Sequence, residues 1–81
     1  MSTMKDLLPG EGGIVCTVQL PGEKAAALTR LGLVPGTEVR CLRRSPLGDP
    51  AAYEFRSTVL ALRGCDTQHI HLKPKGGPRP L

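Results

Sequence analysis

Apolar residues recur at different spacings in different parts of the chain, and those spacings predict the elements. Over residues 14–20, Ile14, Cys16, Val18 and Leu20 fall on one face, and Thr17 and Gln19 share the other with Val15. That two-residue period is what a half-buried strand requires. Pro21-Gly22 then turns the chain, and residues 23–31 (EKAAALTRL) carry the only good helical pattern. Ala25, Leu28 and Leu31 lie on one helical face at spacing three, with no Gly or Pro inside. Gly32 is placed to stop this helix in the left-handed conformation, and Arg30 in the last turn suits the dipole. A helix this short needs packing to persist, and its alanine-rich face favours close approach to a sheet.

Alternation resumes after Pro35-Gly36, which has the signature of a type II turn. Residues 38–44 read as a second strand, with Val39 and Cys41 on one face and Arg40 and Arg44 on the other. Pro46-Leu47-Gly48-Asp49-Pro50 forms a stiff loop: two prolines fix φ, and Asp49 can accept from backbone N–H groups. Residues 52–56 and 58–63 read as a hairpin in which Tyr53 and Phe55 alternate with Glu54 and Arg56. Its turn at Ser57 lacks the Gly or Asn that tight hairpins favour. A 3₁₀ turn at 64–68 and a last strand at 69–72, with Ile70 and Leu72 inward, follow. At the other end, residues 2–8 predict a short helical turn capped by Ser2 or Thr3, with Asp6 near its positive end. Short strands separated by turn residues point to a mainly β fold, a small barrel with one short helix inserted after the first strand.

Length and composition narrow this further. Eighty-one residues allow one domain, and with Tyr53 and Phe55 the only aromatics its core must come from Leu, Val, Ile and Ala. Residues 1–72 are expected to form that domain, and 73–81 (KPKGGPRPL) a basic, Pro/Gly-rich, disordered tail. Lys73, Lys75 and Arg79 lie in this tail, so the formal charge of +4 drops to 8 basic against 7 acidic side chains over residues 1–72. A nucleic-acid binder carries its excess charge on a folded face, so nucleic acid is not the expected partner. Three widely spaced cysteines without a CxxC pair argue against a disulfide framework. With no signal peptide or long apolar run in view, the expected location is the cytoplasm.

The motif order is more specific. A strand, a helix ending in Leu31-Gly32-Leu33 with Pro35-Gly36-Thr37, a strand leading to Pro46-Leu47-Gly48-Asp49-Pro50, and a hairpin closing on Ala61-Leu62-Arg63 together resemble the FeoA family. The resemblance covers about residues 5–72. It implies an SH3-like β-barrel with no catalysis and no cofactor. It also implies a cytosolic accessory of FeoB, the bacterial ferrous-iron transporter, that supports Fe(II) uptake and meets the membrane only through that transporter. A related domain ends DtxR-like metal-dependent repressors, so the alternative is a module that binds or senses Fe²⁺ or Zn²⁺. Here Ser57, Thr67 and Gly64-Cys65 depart from the family pattern.

Three places carry candidate chemistry. Pro46, Leu47, Gly48 and Asp49 present Leu47 on a rigid loop as an apolar anchor for a partner, with Lys24 and Arg30 as flanking contacts. The bland alternative is a shaped turn capped by Asp49. Cys65, His69 and His71 offer thiolate and imidazole ligands for Zn²⁺ or Fe²⁺, but three ligands without a fourth are a weak signal, and the expected reading is two exposed histidines on an edge strand beside a small turn residue, with no metal site. Cys16 and Cys41 are expected in the core, and Arg40, Arg43 and Arg44 on a solvated strand face. No phosphate loop, HExxH or GxSxG motif is present. The chain is expected to be a monomer or a weak homo-oligomer through exposed strand edges.

Overall fold

The computed structural model describes residues 2–74. Strand β1 (Ser2–Thr3) runs into a 3₁₀ turn (Met4–Asp6), followed by β2 (Gly12–Val18) and helix α1 (Gly22–Arg30). Strands β3 (Glu38–Arg44), β4 (Ala51–Phe55) and β5 (Thr58–Leu62) come next, then the one-turn helix α2 (Gly64–Thr67) and β6 (Ile70–Pro74). All strands pair antiparallel in one six-stranded sheet of order β1-β6-β2-β3-β4-β5. The helix therefore follows the first long strand, and the two-residue β1 is an addition at the edge. The final strand reaches Pro74, two residues beyond the expected end of the domain. The rest of the expected tail, residues 75–81, lies outside the described residues.

Chain ends and turns follow their local chemistry. Thr3 and Asp6 form a reciprocal capping box on the N-terminal turn. At the end of α1, Gly32 at φ +100° lets its N–H reach Thr29 O at 3.0 Å and the Leu33 N–H reach Leu28 O at 2.9 Å. That pair of bonds is a Schellman motif, and it turns Leu33 fully into the core. Thr37 N–H closes the Pro35-Gly36 turn on Val34 O at 3.0 Å, as expected of a type II turn. The β4–β5 hairpin turns through Arg56 and Ser57, both at positive φ (49° and 63°), so two ordinary L-residues occupy the conformation that Gly and Asn usually supply.

The core gathers Met4, Val15, Leu28, Leu33, Val39, Cys41, Tyr53, Phe55, Ile70 and Leu72, with Val18, Leu20, Leu60 and Leu62 packed at its margin. This corrects the face expected for β2. Val15 opposes Leu72 and Thr17 opposes His71, so Cys16 is an extra, bulged residue. Before the bulge Gly13 and Val15 face inward, and after it Val18 and Leu20 do. Cys16 is therefore half-buried rather than a core residue, while Cys41 is fully buried as expected. Burial pushes the Cys41 thiol pKa up. Leu31 is also corrected: it sits past the helix end and is 42% exposed, because the Schellman turn buries Leu33 instead.

A second bulge matters more. Cys41 opposes Tyr53 and Arg43 opposes Ala52, which leaves Leu42 as the extra residue of β3. The strand's faces exchange there. Arg44, expected on the solvated face with Arg40, instead pairs with buried Ala51 and is half-buried.

Candidate docking loop and the cavity behind it

The loop between β3 and β4 is fixed from both sides. Ser45 N–H bonds Pro50 O at 3.1 Å, and Gly48 N–H bonds Ser45 O at 2.7 Å. Gly48, at φ +86°, bends the chain back. The Asp49–Pro50 peptide bond is cis. Asp49 Oδ1 accepts the Gly64 N–H at 2.6 Å, so the aspartate anchors the loop to the start of α2 across the fold rather than capping its own turn.

Arg44 holds the other side. Its Nη1 donates to Gly48 O at 3.3 Å, and its Nη2 donates to Lys5 O and Leu7 O, both at 2.6 Å. One guanidinium thus joins β3, the loop and the N-terminal segment. These are charge-assisted bonds with the fork geometry that lysine lacks. The bulge at Leu42 aims the side chain here, and no periodicity of the sequence reports a bulge.

Leu47 stands at the loop tip, 94% exposed. Among the described residues, Leu8 (58%), Val59 (57%) and Leu31 (42%) are the other exposed large apolar residues.

The other sequence candidates are dispersed. Lys24 Nζ lies 2.9 Å from Asp66 Oδ1, linking α1 to α2, and the bond to this carboxylate raises the lysine pKa. Arg40 pairs with Glu54 at 2.9 Å, and Arg43 is exposed. Cys65 and His69 are exposed, whereas His71 Nε2 lies 3.1 Å from Gln19 Oε1. Among the described residues, no group of three or more His, Cys, Asp or Glu is gathered to hold a metal ion. Behind the loop lies a cavity of about 160 Å³ whose walls include Lys5, Arg44, Asp49, Tyr53 and Thr67. The Tyr53 hydroxyl donates to Met4 O at 3.2 Å, and burial pushes its pKa up, so it stays a neutral donor.

The fold is a small SH3-like β-barrel that displays one exposed apolar tip, Leu47. The family model described as the FeoA domain matches residues 2–74, and the chain belongs to the FeoA family. The FeoA protein of Chlorobium tepidum is 27% identical, with a TM-score of 0.88 over 95% of this chain and 73% of that one. The iron(II) transport protein A of Clostridium thermocellum is 28% identical, with a TM-score of 0.84 over 93% of this chain and 46% of that one. The FeoA of Stenotrophomonas maltophilia, solved with zinc, is 28% identical, with a TM-score of 0.77 over 90% of this chain and 91% of that one. It is described as a prokaryotic SH3 domain protein and suggested to be a ferrous iron transport activating factor. No curated protein matches the chain. Among the described residues no helix is long and apolar enough to cross a membrane.

Proposed function

We propose that this protein is a non-enzymatic accessory of bacterial ferrous-iron transport that binds the cytosolic part of FeoB through the loop formed by Pro46, Leu47, Gly48 and Asp49. The observation that carries this reading is Leu47, nearly fully exposed on a loop pinned by Arg44 and Asp49. An apolar side chain held rigidly in water contributes binding energy without the ordering cost of a flexible loop. Docking would add contacts to one state of the transporter and bias its equilibrium.

Burying one leucine contributes about 1.5–3 kcal/mol, so Leu47→Asp should weaken binding to the FeoB cytosolic domain by at least ~10-fold. The fold should be unaffected, because the side chain packs on nothing. Val59→Asp, an equally apolar but distant change on β5, serves as the control and should bind as the parent does. Equal affinity of the Leu47 variant and the parent would remove the loop from the interface.

A metal-sensing role gains nothing from the geometry. Cys65, His69 and His71 are not assembled, and His71 already faces Gln19.

A further inference from the structure

Among the described residues the sheet ends on β1 at one side and on β5 at the other, and the two edges differ. β1 is two residues long, a short edge of the kind that discourages pairing. β5 runs for five residues in unbroken register with β4. It holds no charge, proline, glycine or bulge, the usual means of blocking an edge.

The hairpin fixes which backbone groups of β5 face outward. Arg56 and Ser57 both have positive φ, so they form a two-residue type I′ turn, and the flanking Phe55 and Thr58 are a hydrogen-bonded pair. Alternation then gives the N–H and C=O groups of Leu60 and Leu62 to β4 as well. Those of Val59 and Ala61 are directed away from the sheet, and among the described residues no hydrogen bond reaches them. The side chains of Val59 and Ala61 are exposed. Leu60, between them, packs at the margin of the core and is only half-buried.

These three residues make the edge complementary to itself. With a two-fold axis at Leu60, Val59 of each copy meets Ala61 of the other as a hydrogen-bonded pair, and all the outward groups of both strands are satisfied. The two Leu60 residues become the close, non-hydrogen-bonded pair and cover the open margin of each core. Other centres fit worse. An axis at Ala61 would need the Arg63 carbonyl, which already accepts from the Asp66 and Thr67 N–H groups, and would set Arg63 against Val59. An axis at Val59 would need Ser57, which is held in the turn at φ +63°.

We propose that β5 is a self-recognition edge, through which two copies of this chain pair antiparallel about Leu60 and join their sheets. Five residues of edge cover far less than the roughly 1,200 Å² that a stable interface buries, so the dimer is weak and dissociates in the range of about 0.1–1 mM. Arg63 of one copy falls beside the Arg56-Ser57 turn of the other, so added salt screens a repulsion and tightens the pair.

The test uses the labelled full chain, diluted from about 1 mM and followed by amide NMR shifts and sedimentation velocity. The shifts of Val59, Leu60 and Ala61 should follow one dissociation constant, and sedimentation should reproduce it. Val59→Lys and Ala61→Glu change exposed side chains and no backbone group, and each should weaken the dimer at least ~10-fold. An equimolar mixture of the two variants should associate more tightly than either alone, because in this register the unlike charges stand directly opposite each other. Leu47→Asp should leave the dimer unchanged, so the outcome here is independent of the docking-loop reading. A chain that sediments as a monomer at about 1 mM, dilution shifts that lie elsewhere, or a mixture no tighter than its parts would overturn the proposal. Shifts on β5 that arise only when the FeoB domain is added would give the edge to that protein and overturn the second copy as its occupant.

Discussion

Replacing Arg44 with Met keeps the aliphatic stem and removes the guanidinium. Three hydrogen bonds disappear, to Lys5 O, Leu7 O and Gly48 O. A bond from a charged donor contributes about 1.5–3 kcal/mol when buried. These are exposed or half-buried, and water can replace part of each, so ~1 kcal/mol apiece is the better figure and the total is roughly 2–4 kcal/mol. A chain of 81 residues has a total stability of about 4–12 kcal/mol, so this one side chain accounts for a large share. The melting temperature should fall by roughly 8–30 °C, at about 4–8 °C per kcal/mol for a domain this size. Urea denaturation followed by far-UV circular dichroism gives the free energy directly. Arg44→Lys restores the charge but not the fork, so it should recover less than half of the loss. A cost under ~0.5 kcal/mol for Arg44→Met, the range of an ordinary surface change, or full rescue by Lys would show that the guanidinium fork does not hold these segments together.

Ser57→Gly should raise stability by about 0.5–1 kcal/mol, because it relieves a non-glycine residue at φ +63°; a loss in urea denaturation would contradict this. Gly32→Ala should cost about 1–2 kcal/mol, since φ is +100° and the new Cβ would stand 2.8 Å from Arg56 Cδ; an unchanged urea midpoint would contradict it. Alkaline pH should destabilise the fold. Burial raises Cys41 above 9.0 and Tyr53 above 10.0, so the unfolded chain releases these protons first. Their stabilising contribution is therefore complete below about pH 9 and lost as pH climbs through the folded values. The raised pKa of exposed Lys24 acts in the same sense, weakened by salt. A melting temperature that stays level from about pH 8 to pH 10.5 would contradict that sign.

What could be read from residues alone follows the range of the forces involved. The α1 stop at Gly32, the Pro35-Gly36 turn, the Thr3 cap and the inward alternation of Tyr53 and Phe55 depend on neighbours a few positions away, and all are visible in the chain. The two bulges are not. Cys16 and Leu42 carry no local signal of their extra place, because a bulge is decided by the partner strand's register. Each bulge exchanges the faces of its strand. That is why Cys16 leaves the core, Val15 enters it, and Arg44 turns from a surface charge into the tie of the β3–β4 loop. Leu47 was legible as an exposed tip because the flanking prolines and Gly48 stiffen the turn on their own. The cavity behind it was not, since Lys5, Arg44, Asp49 and Thr67 come from four separate stretches that only the fold brings together.

An NMR titration of the labelled protein with the cytosolic domain of the FeoB from the same organism asks whether the β3–β4 loop makes the contact. Saturable shifts confined to Pro46, Leu47, Gly48 and Asp49 and their immediate neighbours are the predicted result. Saturable shifts elsewhere, on the outer face of β5 for instance, with the loop unmoved, would contradict it.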